Sequence, residues 1–456
     1  PSIFGNIFEA SSDWNKRHKK GQHFTNESDI LKVILPTIIE PLEKELEECK
    51  SITALENLLF KLSQIKICDP ACGSGNFLYI SYNLLKDLES KIQRRIISRR
   101  KSIKKKVLSL ISYITTNQFF GIDNDPFAVD LARVTMMVGR KMAHDRLNLD
   151  EKELPLDTLD NNIKRQDALF STWPKADFYI GNPPFLGGKN LRLELGDEYV
   201  DQIFKSYPEV KDSVDLSSYW FRIAHENMTS TCRSGFIATN TIREGKSRSA
   251  SLEFIAKNGG YIHTAISTQT WPGEAKVHVS IVNWSKQKPS FLKLDGKSVK
   301  TITTSLTTEE TDVTKANQLE ANKNFCFQGV IPVGKGFNVE ENVAKDWIKQ
   351  NPKNKKVIKK FLRGSNLVQH PLGKPDKWII DFDDRSIEEI DQFHEPYKQV
   401  VELVKPERIT NRERIMREKW WRFKRTNKSM RNAIKELNFY FAMCRVSKWA
   451  IFLQAK

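Results

Sequence analysis

Asn182 is followed by two prolines and an aromatic residue, and this run comes one residue after the predicted strand 177–180. The exocyclic amine of a nucleobase is a poor nucleophile, because its lone pair is delocalised into the ring. The side-chain oxygen of Asn182 and the carbonyl of Pro183 can accept the two amine hydrogens and draw that lone pair out. Pro183 and Pro184 hold the chain away from helix, and Phe185 can stack on an extruded base. The run therefore indicates chemistry on an aromatic amine, with a proline turn that ends a strand as the alternative.

A glycine-rich turn, residues 69–75 with the sequence DPACGSG, follows another apolar run and leads into a helical pattern. Glycines remove side chains, so the backbone can approach a bound cofactor closely. The third glycine of a dinucleotide fingerprint is replaced by Leu78, which argues against a nicotinamide cofactor. The candidate cofactor contacts in this turn are Asp69, Ala71, Gly73 and Gly75.

Two further acidic residues lie in the next two strand regions. Asp123 is placed at the carboxyl end of a strand, where a carboxylate can accept both hydroxyls of a ribose. Asp167 follows the third strand region and can accept a hydrogen bond from an adenine amine. Each aspartate alone is more often a helix cap or a turn residue. In series with the glycine turn, they indicate a cofactor that contains a nucleoside.

The elements that must position these residues alternate between short β-rich runs and helical patterns. This alternation predicts a doubly wound α/β fold with a mixed, mostly parallel sheet. The clearest predicted strands are residues 65–68, 118–122, 177–180, 235–239 and 277–283, and the clearest helices between them are 76–88, 126–141 and 217–228.

Segments outside this alternation have different characters. Residues 29–48 carry an apolar helical face, and we expect that helix to pack beside the sheet. The basic run 91–106 is typical of a solvated helix face, with DNA backbone contact as the alternative. Residues 287–324 are polar and predict a connection or a weakly structured excursion. The chain beyond Phe325 is basic and aromatic, and its candidate DNA contacts are Lys359, Lys360, Arg363 and Arg422, beside Trp420 and Trp421.

Bulk composition limits the classes of protein. A chain of 456 residues exceeds what one core usually organises, and 39% hydrophobic with 28% charged residues is typical of globular proteins. The net charge of +17 favours a polyanionic partner, nucleic acid first, over a merely basic soluble or ribosome-associated protein. The six cysteines form no paired CxxC motif, so we expect no metal site and no disulfide framework. Without a membrane-length apolar run or a signal pattern, a cytoplasmic location is expected.

Together these runs resemble the amino-methyltransferases of DNA, in the N6-adenine branch, and the resemblance covers nearly the whole chain. Residues 21–25, GQHFT, resemble the upstream cofactor motif of that family. The resemblance implies a Rossmann-like class I methyltransferase domain with S-adenosylmethionine (SAM) as cofactor. Phe24 would lie against the SAM, and Thr25 and Asn182 would also belong to the cofactor site. The order of the motifs, with target recognition last, resembles the gamma arrangement of the family.

Residues 181–189, GNPPFLGGK, and 271–275, WPGEA, look more narrowly like MmeI-like (type IIL) restriction-modification methyltransferases. Residues 327–329, FQG, and 361–364, FLRG, resemble the lead-in to target recognition in that family. The resemblance implies a site-specific methyltransferase that acts on a flipped-out adenine in double-stranded DNA. The expected domains are an N-terminal helical segment (1–60), a catalytic domain (61–324) and a smaller α+β target-recognition module (325–456).

The chain departs from that family at both ends. Family members usually carry a nuclease domain ahead of the methyltransferase, and about twenty residues precede Gly21. We therefore expect a nuclease that was lost by truncation or is supplied by a separate chain, and a C-terminal module that is incomplete. Methyltransferases that act on RNA or on a protein glutamine use the same Asn-Pro-Pro chemistry and remain the alternative. They generally lack a long basic and aromatic C-terminal module.

Overall fold

The computed structural model describes residues 25–100, 112–147, 159–210, 214–271, 277–308, 319–411, 413–447 and 449–455. The chain separates into two units, Pro1–Lys315 and Ala316–Lys456. Among the described residues, the first unit has one sheet and two buried apolar clusters, and the second has two small sheets and one buried apolar cluster.

The sheet of the first unit has the strand order β3-β2-β1-β4-β5-β7-β6-β8-β9 across the described residues. Its first five strands pair in parallel, and β7 runs antiparallel to both β5 and β6. The predicted mixed, mostly parallel sheet is therefore confirmed. The strands are β1 (Ile67–Asp69), β2 (Phe119–Asp123), β3 (Ile163–Arg165), β4 (Phe178–Gly181), β5 (Arg233–Thr239), β6 (Tyr261–Thr270), β7 (His278–Ser285), β8 (Leu292–Leu294) and β9 (Lys297–Val299).

Helices cover both faces of this sheet. Successive residues of a strand point to opposite faces, so buried strand residues contribute to a cluster on each side. Ile67 and Ile180 belong to one buried cluster and Tyr179 to the other. The first cluster includes residues of α1 to α5 and the second residues of α6, α7, α8 and α10. The helices are α1 (Glu27–Ile34), α2 (Glu40–Glu48), α3 (Ile52–Gln64), α4 (Asn76–Arg99), α5 (Pro126–Leu147), α6 (Leu191–Leu195), α7 (Asp197–Ser206), α8 (Ser217–Asn227), α9 (Gly245–Ala250) and α10 (Leu252–Lys257).

The predicted helix over residues 29–48 is present, but a π-helical turn at Leu35–Ile39 joins α1 to α2. Pro36 and Pro41 lack amide hydrogens, and a wider turn accommodates such residues within a continuous helix. The turn is fixed to the sheet, since the Thr37 hydroxyl donates to Asn283 Oδ1 at 2.9 Å. Gly235 makes room for this contact, because a Cβ there would lie 2.3 Å from the same oxygen.

The prediction of a connection or weakly structured excursion over residues 287–324 is wrong at its start, where β8 and β9 form a hairpin at the edge of the sheet. Asp295 and Gly296 form its tight turn, with φ of 50° and 80°. An Asp-Gly pair is a strong signal for such a turn, because both central residues need positive φ. Leu294 is buried, which ties the hairpin to the core.

The described part of the basic run 91–106 belongs to α4, which ends at Arg99. Arg95 and Arg99 donate to the carbonyls of Leu46 and Cys49 at the end of α2, both at 3.2 Å. These arginines therefore stabilise a helix C-terminus within the chain. No helix in the described ranges is both long and apolar enough to cross a membrane.

The second unit mixes helices with two small sheets, as the predicted α+β module requires. β12 lies between β10 and β11 in an antiparallel sheet, and β13 pairs with β14. The strands are β10 (Asn338–Val339), β11 (Ile358–Phe361), β12 (Lys377–Ile380), β13 (Tyr440–Met443) and β14 (Phe452–Ala455). The helices are α11 (Glu341–Gln350), α12 (Gly364–Gln369), α13 (Ile387–Ile390), α14 (His394–Leu403), α15 (Lys405–Ile409), α16 (Arg414–Glu418) and α17 (Lys428–Ile434).

Candidate active site

The glycine turn connects β1 to α4 at the carboxyl edge of the sheet. Gly75 has φ of 83°, and a Cβ there would lie 3.0 Å from the Cα of Ala132 on α5. A side chain at this position would therefore push the turn away from the helix. Gly73 also has positive φ, at 49°, but a Cβ there would meet nothing within 4 Å. Gly75 thus serves packing, whereas Gly73 leaves the face of the turn open.

Asp123, at the end of β2, holds this turn through main-chain amides. The Gly73 amide donates to Asp123 Oδ2 at 3.0 Å, and the Asp125 amide donates to Oδ1 at 2.9 Å. Burial raises the pKa of Asp123, and these two amides oppose that shift. The carboxylate that the sequence assigned to a ribose therefore also orders the loop beneath it.

Asp69 is fully buried at the base of the turn. Its Oδ1 accepts the Ala71 amide at 3.0 Å, while Oδ2 has no hydrogen-bond partner in the described part of the chain. Burial raises the pKa of Asp69 to about 8. The end of β4 passes very close, because a Cβ on Gly181 would lie 2.5 Å from Asp69 Oδ1. Asp69 thus joins the turn to the strand that leads into Asn182.

Trp220 is a supporting residue that the sequence reasoning missed. From α8, its indole Nε1 donates to the Pro70 carbonyl at 3.0 Å, and the side chain is buried. A buried indole usually requires such a partner. The helical pattern at residues 217–228 was visible in the sequence, but it carried no signal that one member reaches the glycine turn.

Asp167 lies just after β3, next to the end of β2. The neighbouring Gln166 amide donates to the Asp123 carbonyl at 2.9 Å, which places the two segments side by side. Both oxygens of Asp167 have a donor: the Leu169 amide at 2.9 Å and the Tyr199 hydroxyl at 2.7 Å. No motif in the sequence pointed to Tyr199.

Asn182 follows β4, and its amide is held by a residue far away in the chain. Its Nδ2 donates to the Thr25 hydroxyl at 2.9 Å across a separation of 157 residues. Its Oδ1 is buried without a hydrogen-bond partner among the described residues. A buried acceptor left unpaired costs free energy, so such an atom is expected where a ligand or substrate supplies the donor. Thr25, predicted as a cofactor contact, here contacts Asn182.

Phe185 is buried and packs edge-to-face on Trp271, with ring centroids 5.8 Å apart and an angle of 77°. The prolines 183 and 184 precede it in the same loop, and Pro183 is buried. Phe24, the other predicted aromatic contact, lies outside the described residues, as do residues 272–276.

The structure thus brings Asp69, Gly73, Asp123, Asp167 and Asn182 to one edge of the sheet, through the direct contacts between their loops. Asp123 and Asp167 present carboxylate oxygens, which accept N–H and O–H donors. The open face of Gly73 allows a ligand to approach the backbone. After the neighbouring strand β4, Asn182 Oδ1 is an acceptor without a partner among the described residues. These residues fit a cofactor with a nucleoside part beside a substrate that donates N–H.

Comparison with known proteins shows similarity to DNA methyltransferases. The family model described as "MmeI, DNA-methyltransferase domain" matches residues 43–294. The "DNA methyltransferase A" of Bacillus subtilis strain 168 is 30% identical over 302 residues, which cover 62% of this chain and 33% of that protein. A putative type II restriction enzyme and methyltransferase of Methanocaldococcus jannaschii is 26% identical over 133 residues, or 29% of this chain and 11% of that protein.

Among solved structures, the type IIL restriction-modification enzyme MmeI in complex with DNA aligns with a TM-score of 0.75 and 24% sequence identity. The alignment covers 93% of this chain and 59% of that one. This likeness shows that the two proteins share a fold. The chain spans about a third of the length of the Bacillus relative.

Proposed function

The chain belongs to the MmeI DNA-methyltransferase domain family, whose model matches residues 43–294, and on this premise we propose that it methylates the exocyclic N6 amine of adenine in DNA, with SAM as methyl donor. The observation that carries the proposal is the Asn182 amide, whose nitrogen donates to the Thr25 hydroxyl and whose buried oxygen has no partner in the described ranges. That oxygen can accept one hydrogen of the target amine.

The residues proposed to hold SAM are those at the ends of β1, β2 and β3. Asp123 would accept the ribose hydroxyls, Asp167 the adenine amine, and the Gly73 face of the turn would lie against the rest. Phe24 and Thr25 complete the proposed set through the upstream motif. When bound there, SAM supplies an electrophilic methyl group on a sulfonium.

The residues proposed to act on the target amine follow β4. Asn182 Oδ1 and the Pro183 carbonyl accept the two amine hydrogens, which directs the nitrogen lone pair out of the ring. Pro184 keeps the loop non-helical. A base inside a duplex cannot reach such a site, so the adenine must leave the stack. Phe185, braced at its edge by Trp271, is proposed to stack on that base.

Double-stranded DNA is the proposed partner, in the setting of a cytoplasmic restriction-modification system. The net charge of +17 supports binding to phosphates. Residues 325–456 are the proposed target-recognition module, and residues 1–60 and 61–324 the proposed N-terminal segment and catalytic domain. Any nuclease would act from another segment or chain.

The test is to incubate the chain with methyl-labelled SAM and random-sequence duplex DNA, digest the DNA to nucleosides and identify the labelled one. The expected labelled product is N6-methyl-2′-deoxyadenosine. EDTA should not change the yield, because an amine and a sulfonium react without a metal. Label on cytosine, or transfer only to RNA or to a protein glutamine, would contradict the proposal.

A further inference from the structure

Tyr199 contacts a residue of the proposed cofactor site from a helix that the sequence did not connect with it. Its hydroxyl donates to Asp167 Oδ2 at 2.7 Å, and its ring packs edge-to-face on Phe170 at 5.5 Å and 80°. The helix that carries it, α7, is anchored by Val200 and Ile203, which are completely buried. Tyr199 therefore approaches Asp167 from a fixed element.

The two donors on Asp167 fix the direction of its remaining lone pairs. The Leu169 amide occupies one site on Oδ1, and the Tyr199 hydroxyl occupies one on Oδ2. A carboxylate has about four acceptor positions, so two remain for a ligand. An ionised carboxylate accepts hydrogen bonds and cannot donate them. Held in one rotamer, the Asp167 carboxylate therefore suits a ligand group that donates N–H and repels one that presents a carbonyl oxygen.

We propose that Tyr199 is a specificity-determining residue that, by positioning the Asp167 carboxylate, selects a purine with an amine at carbon 6 over one with an oxo group. The inference rests on the proposed function, since it takes the adenine of SAM as the ligand of Asp167. Tyr199 acts through Asp167 and does not itself contact the ligand in this scheme.

Tyr207 provides a matched control, because it binds the same loop without touching the carboxylate. Its hydroxyl donates to the Leu169 carbonyl at 2.6 Å from the end of α7. Tyr199→Phe and Tyr207→Phe therefore each remove one hydroxyl and one hydrogen bond to the 167–170 loop. They differ in whether the lost partner is the side chain of Asp167 or the main chain.

The test is calorimetric binding of S-adenosylhomocysteine and of its 6-oxo analogue S-inosylhomocysteine to the full chain. The wild type should prefer the adenine ligand. Tyr199→Phe should reduce that preference about tenfold, the order expected for loss of a hydrogen bond to a charged group. Tyr207→Phe should leave the preference unchanged, and both variants should keep the far-UV circular dichroism of the wild type.

A double-mutant cycle separates the effect of Tyr199 on Asp167 from a general distortion of the 167–170 loop. In an Asp167→Asn background, Tyr199→Phe should have little further effect on the preference, because its partner is already changed. An unchanged preference in Tyr199→Phe, an equal loss in Tyr207→Phe, or independent effects in the cycle would overturn the inference while leaving methylation by the wild type intact. A wild type that binds neither ligand would overturn the proposed function itself.

Discussion

A polar side chain at the carboxyl edge of the first unit and one in the interior of the second unit use their hydrogen-bonding atoms differently. At the sheet edge, Asn182 Oδ1 is buried and lacks a donor within the described chain. In the second unit, the buried Arg408 uses its two terminal nitrogens to donate to the carbonyls of Pro332, Val333, Trp420 and Arg422. At the sheet edge a buried acceptor is left open, whereas in the second unit the terminal nitrogens of a buried cation are bound to main-chain carbonyls.

This difference teaches that a basic composition does not by itself identify a DNA-binding surface, because a basic side chain can be used inside its own unit. Arg422, a candidate DNA contact, donates to the carbonyls of Asp384 and Arg385, and its side chain is 18% exposed. Arg363 makes two bonds to Asp376. The structure therefore gives Arg422 a role inside the unit, whereas Lys360 is exposed and remains the better candidate.

The largest expected effect comes from removing the open acceptor. Asn182→Ala should lower the single-turnover rate of methyl transfer by about 10²–10³-fold, the range seen when one preorganised hydrogen-bonding group is lost from an active site. Binding of SAM, measured by calorimetry, should change little. As a control, Asn190→Ala alters an exposed amide in the following segment and should keep the wild-type rate. A wild-type rate in Asn182→Ala would contradict the mechanism.

Arg408→Met tests how much the buried Arg408 contributes to the stability of the second unit. The substitution removes the donor of the Val333, Trp420 and Arg422 carbonyls and one of the two donors of Pro332, so the free energy of unfolding should fall by about 3 kcal/mol or more. Urea denaturation combined with hydrogen exchange over the second unit would measure this loss. Arg414→Met is the matched control, because that side chain is 79% exposed and forms a surface ion pair with Glu418. Its effect should stay within about 0.5 kcal/mol. Equal losses of unfolding free energy in Arg408→Met and Arg414→Met would contradict the stabilising role assigned to the hydrogen bonds of Arg408.

Asp123→Ala should weaken SAM binding by about 1.5–3 kcal/mol, roughly ten- to a hundredfold in Kd. The carboxylate is the proposed ribose acceptor and also holds the Gly73 amide. Calorimetry on this variant and on Asp130→Ala, whose side chain is 72% exposed on α5, would separate the site from the surface. Unchanged affinity in Asp123→Ala would show that the assignment is wrong.

Asp69, at the carboxyl edge of the sheet, should make the stability of the fold depend on pH. Burial raises its pKa from 3.8 to about 8, so between these values the unfolded chain is ionised at this residue while the folded chain is protonated. The folded state then binds the extra proton, and the contribution of Asp69 to stability falls as pH rises from about 4 to 8.

In Asp69→Asn this dependence disappears. The free energy of unfolding of the variant, relative to the wild type, should therefore increase with pH by on the order of 1 kcal/mol per unit across that window. Urea denaturation of both proteins without cofactor, at a series of pH values, would measure it. If the unfolding free energy of Asp69→Asn relative to the wild type stayed constant or decreased with pH, the raised pKa of Asp69 would be contradicted.

Several features of the fold were readable from local sequence alone. The alternation of strand and helix patterns predicted the doubly wound sheet, because parallel strands need crossover helices. The β8–β9 hairpin was also readable, since Asp295 and Gly296 form a known turn signal, but the polar composition around it directed the interpretation toward a connection. Composition averages over a window, whereas a tight turn depends on two residues.

The sequence by itself determined which residues follow the strands, and thus that Asp69, Asp123, Asp167 and Asn182 come to one edge once the strands pair in parallel. Only the tertiary structure decided what holds them: Thr25 on Asn182 and Tyr199 on Asp167. Local periodicity reports which face of an element is buried, and it carries no information on which distant side chain meets that face. Partners separated by many residues are selected by packing, so the orientation of an amide or a carboxylate is a property of the folded chain.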